Sequence, residues 1–149
     1  MQSGKAFAAG ALAYSLATFN GSYLWHIVLF NEQFLNLKTW SRFDDPDASL
    51  AMVAVALQAV LVAYMLPIFQ RAMGVYGALS GARFGVWVAC LGMSYAIFGH
   101  AAKNQVSCLE GFIALEGLFF LLQFPLSCAL VAFAQERVGR SAAATKRRA

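Results

Sequence analysis

Four long runs of apolar residues, separated by short polar stretches, dominate the pattern of the chain. They cover residues 6–30, 48–69, 84–102 and 111–134. A helix needs about 20 apolar residues to cross the hydrocarbon core of a bilayer, and each run is close to or above that length. The runs are too uniformly apolar for the alternating strands of a membrane barrel. The pattern therefore predicts an all-α, polytopic membrane protein with four transmembrane helices in a bundle.

The first run has a second interpretation, because Lys5 precedes it as it would precede the core of a signal peptide. The apolar core of a signal peptide is about 7–15 residues long, whereas this run is longer and has only weak cleavage choices near residues 20–22. We therefore expect a retained helix.

The longest connecting segment, residues 31–47, has an apolar side. Phe34, Leu37 and Trp40 recur at a spacing that lines one side of a short helix. This predicts a short amphipathic interfacial segment between helices one and two. The segment ends with Asp44, Asp45, Pro46 and Asp47, a combination typical of the start of a helix. The alternative interpretation is that the three aspartates bind a metal ion.

Basic residues indicate the orientation, because short cytoplasmic loops are enriched in Lys and Arg. With four spans both termini share a side, and that side holds most of the 11 basic residues: Lys5, Arg71, Arg83, Arg137, Arg140, Lys146, Arg147 and Arg148. Only Lys38, Arg42 and Lys103 lie on the other side. The distribution predicts a multi-pass protein of the inner membrane with cytoplasmic N and C termini.

Composition agrees with this picture, since 60% of the residues are hydrophobic and 12% are charged. We expect one transmembrane domain over residues 1–137 and a flexible basic cytoplasmic tail over 138–149. No connecting segment is long enough for a soluble catalytic domain, which needs about 40 residues or more. The net charge of +4 is then a topology signal, and we expect contact with the lipid bilayer and none with nucleic acid.

Three amides fall near the centres of predicted helices, where unpaired polar groups are costly. Asn20, Gln58 and Gln123 are expected to form hydrogen bonds between helices and so to fix the register of the bundle.

Three ionisable residues fall at one depth, on the outer side of helices one, three and four. His26, His100 and Glu116 each lie about 10–12 Å from the centre of the bilayer at 1.5 Å per helical residue. We predict that they form the candidate polar site, with Tyr23 close by. The group could bind a transition metal, relay protons, line the mouth of a solute path or clamp a haem. Each residue could instead satisfy a neighbour or reach the interface, so the metal and cofactor are unknown.

Small residues at four-residue spacing form two stripes, which permit close contact between helices in lipid. The first runs along helix one and the second leads into helix three: Ala9, Ala13, Ala17 and Gly21, then Gly77, Gly81, Gly85 and Ala89. They are expected to be contact faces within the bundle, or faces for other membrane subunits or for self-association.

The sequence resembles small bacterial four-helix integral membrane protein families of unknown function. The resemblance rests on an aromatic-rich end of helix one, a short loop with Trp40, a glycine-rich start of helix three and a polar turn before helix four. The end of helix one reads Tyr23-Leu24-Trp25-His26 and continues to Leu29-Phe30. The resemblance implies four spans and no known catalytic residues.

Function is expected from packing rather than chemistry, because no nucleophile elbow, phosphate loop, dinucleotide fingerprint or zinc-protease motif occurs in the chain. We predict a non-enzymatic accessory or structural subunit of a larger membrane complex. The alternative is a small oligomeric transporter or channel that uses the His/Glu site near the outer leaflet. A membrane enzyme is third and would depend on His26 or His100.

Overall fold

The computed structural model describes residues 3–38 and 47–146, and every regular element among them is helical. The helices are α1 (Gly4–Tyr23), α2 (Asn31–Leu37), α3 (Ala48–Met73), α4 (Ala78–Met93), α5 (Gly99–Ala101) and α6 (Leu109–Lys146). A π-helical turn over Leu24–Leu29 continues α1, and a second over Ser94–Phe98 joins α4 to α5. The prediction of an all-helical chain is confirmed.

Three helices are long and apolar enough to cross a membrane: Ala48–Met73, Ala78–Ala101 and Leu109–Ser141. These correspond to the second, third and fourth predicted spans. Helix α1 is not among them, because Ser15, Asn20 and Ser22 interrupt its apolar residues. Large apolar side chains face outward on the three spans, as for Leu91, which is 74% exposed, and such a surface suits lipid contact.

Helix α6 lies between α1 and α4, and α3 packs mainly on α1. Helices α1 and α6 are antiparallel. Gly10 in α1 lies against Gln135 in the second half of α6, and His26, just after α1, lies against Glu116 near the start of α6. The first and last described residues therefore lie at one end of the molecule, called here the terminal end. The opposite end, with His26 and Glu116, is called the distal end.

The glycine stripe of α4 is a contact face on α6. Gly81, Gly85 and Ala89 are buried, and a Cβ atom at Gly85 would overlap the carbonyl oxygen of Phe124. A Cβ at Gly81 would meet the carbonyl of Cys128 in the same way. Only glycine permits this approach of one backbone to another.

The buried face of α1 differs from its predicted stripe. It is formed by Ala6, Gly10, Tyr14 and Thr18, one residue further along the helix than the predicted small residues. The predicted stripe, Ala9 to Gly21, is only partly buried and flanks that face. Polar side chains, rather than small ones, occupy the centre of this contact.

Helix α2 turns its apolar side toward the protein and not toward lipid. Phe34 and Leu37 are buried in a cluster with Ile97 and Phe112. The residues predicted to complete this segment, Trp40, Asp44, Asp45 and Pro46, lie outside the described residues.

Helix α3 begins at Ala48, as predicted for the second span, whereas the end of α6 lies beyond residue 134, where the fourth span was predicted to end. Helix α3 is capped by Asp47, whose carboxylate accepts from the backbone N–H groups of Ser49 at 3.0 Å and Leu50 at 3.2 Å, so the cap lies after Pro46. Helix α6 continues to Lys146, so most of the stretch predicted as a flexible tail from residue 138 is helical.

Candidate functional site

The candidate site is a side-chain pair that joins α1 to α6 at the distal end. His26 lies in the π-helical turn after α1, and its Nε2 is 3.0 Å from Oε1 of Glu116 on α6. The other ring nitrogen, Nδ1, is 3.0 Å from the carbonyl oxygen of Ser22, one turn earlier. Both ring nitrogens are thus fixed, and single π-helical turns occur frequently at functional sites.

The hydrogen bond to Ser22 determines the tautomer of His26. A carbonyl oxygen only accepts, so Nδ1 carries a hydrogen and donates it. The contact between Nε2 and Glu116 then holds one further proton, which either the ring or the carboxyl carries. The pair is neutral overall in both arrangements, which differ by the position of this proton in one hydrogen bond of ordinary length.

Aromatic rings surround the pair. The His26 ring lies 4.8 Å from the Phe34 ring and 4.7 Å from the Phe119 ring, edge to face with the latter. The side chains of His26 and Glu116 are 18% and 7% exposed. Next to them, the buried Nε1 of Trp25 has no hydrogen-bond partner in the described part of the chain. Electrostatic contacts are strengthened in such surroundings, because water is excluded from them.

His100 lies in a different contact at the same end. Its ring is 5.6 Å from that of Phe112, and its Nδ1 is 3.4 Å from Nδ2 of Asn104. Within residues 3–38 and 47–146, no group of three or more His, Cys, Asp and Glu residues could hold a metal ion. The three predicted residues therefore divide into a direct pair and a histidine on the neighbouring aromatic cluster.

The supporting polar residues have different positions. Gln58 on α3 accepts a hydrogen bond from the Tyr14 hydroxyl at 3.0 Å, and Gln123 on α6 donates to the Ala17 carbonyl at 3.2 Å, so both join helices. Asn20 instead donates to the Leu16 carbonyl of its own helix at 2.7 Å and is exposed. Tyr23 is 57% exposed. Among the described residues, the hydrogen bond of Asn20 lies within its own helix and does not join two helices.

Sequence reasoning missed several polar contacts of α6 with α1, with α3 and within α6 itself. Thr18 and Ser127 approach to 3.4 Å, Gln123 donates to Ser127 at 2.8 Å, and Gln135 donates to the Ala63 carbonyl at 3.0 Å. A signal was present, because polar residues recur every four positions on the first helix: Tyr14, Thr18, Ser22 and His26. This periodicity places them on one helix face.

Comparison with known proteins adds no family, since no family model, curated protein or solved structure matches the chain. The site is a partly buried hydrogen bond between two ionisable side chains that joins the π-helical turn after α1 to α6.

Proposed function

We propose that the chain is a non-enzymatic integral membrane protein that acts as an accessory or structural subunit of a larger membrane complex. The proposal rests on one observation: the polar residue Asn20 is exposed on a surface of α1. Asn20 lies near the middle of the first predicted span, residues 6–30, close to Leu16, Phe19 and Tyr23, which are all at least half exposed. These four residues are called here the Asn20 face.

A side-chain amide at this depth is costly against lipid. Asn20 has two N–H donors and a carbonyl acceptor, of which one donor is used within its own helix in the described part of the chain. Amides of this kind promote association of transmembrane helices through interhelical hydrogen bonds, worth on the order of 1 kcal/mol. A helix of a partner subunit with a hydrogen-bonding side chain would cover the Asn20 face.

The weak hydropathy of α1 supports the same proposal. Helix α1 is not one of the three candidate spans of the described chain, although it packs along α6 and α3. We propose that α1 crosses the bilayer as the fourth helix of the bundle, shielded from lipid by α3 and α6 on one side and by the partner on the other.

Native purification tests the subunit proposal. We expect the full-length protein, extracted from its own membrane in a mild detergent, to elute with a partner in fixed stoichiometry. Asn20→Leu should release that partner. Ser94→Leu is the matched control: Ser94 is also exposed within a long helix, but its only hydroxyl hydrogen is donated to the Leu91 carbonyl at 2.7 Å, whereas Asn20 keeps a second N–H donor after its bond to Leu16. An Asn20→Leu protein that keeps its partner would contradict the proposal.

The proposed location is the inner membrane, with both termini in the cytoplasm. It rests on the eight basic residues at the terminal side against three on the other. Cys108 is exposed in the segment between α5 and α6 at the distal end. A membrane-impermeant thiol reagent should label Cys108 in intact spheroplasts, and labelling only after lysis would reverse the orientation.

A second candidate function is favoured by the buried pair of His26 and Glu116, whose shared proton suits a small oligomeric transporter or channel. A purified homo-oligomer should then carry a pH-dependent flux in liposomes, which Glu116→Gln abolishes and Glu110→Gln leaves intact. Such a flux in a preparation free of any other subunit would replace the accessory role.

A further inference from the structure

A cavity of about 420 Å³ opens at the terminal end, far from the His26 site. It lies where the start of α1, the ends of α3 and α6, and the loop between α3 and α4 meet. Its polar lining is formed by Ser3, Gln70, Tyr76, Gln135 and Glu136. The volume is within the range of ligand sites, about 300–1,000 Å³.

The orientation of the Gln70 amide is determined by its neighbours. The Ser80 hydroxyl donates its one hydrogen to the Gly77 carbonyl at 2.8 Å, so Ser80 Oγ accepts from Nε2 of Gln70 at 2.7 Å. A reversed amide would bring two acceptors together. Gln70 is 8% exposed and lines the cavity, and its Oε1 accepts no hydrogen bond within the described residues.

Gln135 is oriented in the same way. Its Nε2 donates to the Ala63 carbonyl at 3.0 Å, an acceptor that excludes the reversed amide. Gly10 provides the space, since a Cβ there would overlap this nitrogen. Gln135 is also 8% exposed and lines the cavity, so it presents Oε1 as a second acceptor.

Glu136 adds a carboxylate to the cavity wall. One of its oxygens pairs with Arg140, a side chain that is 76% exposed and extends into solvent. The other oxygen, Oε2, lies 4.0 Å from the position that a Cβ would take at Gly77, on the loop side of the cavity. The wall therefore combines the amide oxygens of two largely buried side chains with the carboxylate of Glu136, which also pairs with Arg140.

We propose that this cavity binds a primary ammonium group. An ammonium carries three N–H donors and a positive charge, and it has no acceptor, so it complements amide and carboxylate oxygens. A quaternary ammonium has no N–H donor and is typically held by several aromatic rings, of which the cavity has one, Tyr76. Two sources share this chemistry: a free amine, or the ethanolamine head group of a lipid at the end of the apolar helices.

Calorimetric titration of the full-length protein in a non-ionic detergent tests the site. The probes are ethanolamine, a short-chain phosphatidylethanolamine and the phosphatidylcholine with the same acyl chains. If the free amine is enough for binding, we expect both ethanolamine and phosphatidylethanolamine to bind. If the acyl chains are also needed, we expect only phosphatidylethanolamine to bind. Phosphatidylcholine should bind at least about tenfold more weakly, which is the effect of losing one charge-assisted hydrogen bond.

Two variants test whether the probes bind in this cavity. Glu136→Gln keeps the size of the side chain and removes its charge, so it should weaken binding about tenfold. Gly139→Leu should block the cavity, because Gly139 lines it and nothing lies within 4 Å of its Cβ position, so the fold is not disturbed. Glu110→Gln, on the same helix at the distal end, is the matched control. Equal binding of the two lipids, no binding of any probe, or unchanged affinity in Glu136→Gln and Gly139→Leu would overturn the proposal.

Discussion

Helix α6 has two neighbours that hold it by different means. Toward α4 it presents backbone carbonyls, and glycines allow the two backbones to approach closely. Toward α1 it presents polar side chains, which bond to Ala17, approach Thr18 and pair with His26. Helices in lipid gain little from apolar burial alone, so close packing and hydrogen bonds are the two available ways to associate. The α4 contact uses the first, and the α1 contact uses the second.

This difference has a consequence for function. A contact made by backbone approach is rigid, because any added atom requires the helices to separate. A contact made by side-chain hydrogen bonds can change when a proton or a partner changes one of its groups. The side of α6 that faces α1 is therefore the one that can respond, and it includes Glu116, the partner of His26.

The largest effect is expected from breaking the α4 contact. Gly85→Leu would place its side chain against the carbonyl of Phe124 and the backbone of Pro125, which cannot withdraw. We expect a loss of about 3 kcal/mol in the free energy of unfolding, the upper range for overpacking. Unfolding by denaturant in mixed micelles measures it. Gly139→Leu, at a position with nothing within 4 Å of the Cβ, should cost little, and equal costs for both variants would contradict the role given to Gly85.

The second effect concerns the ionisable pair of the α1 contact. Glu116→Leu should cost about 2 kcal/mol of unfolding free energy, because it removes the carboxylate that contacts the half-buried His26 ring. Glu116→Gln should cost less, since the amide offers both a donor and an acceptor to the ring nitrogen of His26. The same denaturant titration compares them.

If Glu116→Gln were as destabilising as Glu116→Leu, the charge of the carboxylate, and not the hydrogen bond, would hold the two helices together. Glu110→Gln serves as the control, because Glu110 is exposed at the start of the same helix.

A smaller effect is expected from the neutral hydrogen bond that ties α1 to α3. Tyr14 is fully buried, and its hydroxyl donates to Gln58. Tyr14→Phe keeps the ring and should cost about 1 kcal/mol, as hydrogen bonds between membrane helices typically do. Tyr95→Phe removes a hydroxyl from a side chain that is 79% exposed and should be neutral. Thermal unfolding followed by circular dichroism would show no difference between the variants if the Tyr14 bond were unimportant.

Much of the fold follows from hydropathy, whereas the contacts do not. The three spans are readable because each is a continuous apolar run, and the glycine face of α4 is readable because four-residue spacing puts Gly81 and Gly85 on one side. The predicted depth of His26 and Glu116 agrees with their direct contact, since antiparallel helices of known length bring equal levels together.

The rotation of each helix about its axis is what the sequence leaves undetermined. The small stripe and the polar stripe of α1 differ by one residue, about 100° of rotation, and both are regular. The polar stripe is the buried one because Tyr14 and Thr18 find partners on α3 and α6. For the same reason Asn20 faces outward, and His100 lies against Phe112 rather than in the pair.

The smallest effect is expected at Asp47, the residue whose carboxylate caps the start of α3. The Ser49 hydroxyl and the backbone N–H of Leu50 donate to Asp47 and lower the pKa of its carboxyl. A lowered pKa in the folded state stabilises the fold at pH values above the ordinary Asp pKa of about 3.9, and this stabilisation is lost as the pH falls through the folded-state value. Asn is an equally good cap without the charge. Asp47→Asn should therefore lower the thermal midpoint slightly at neutral pH, and the difference from the natural protein should vanish in acid. A difference that stays constant between neutral pH and acid would show that the charge of Asp47 contributes nothing to the start of α3.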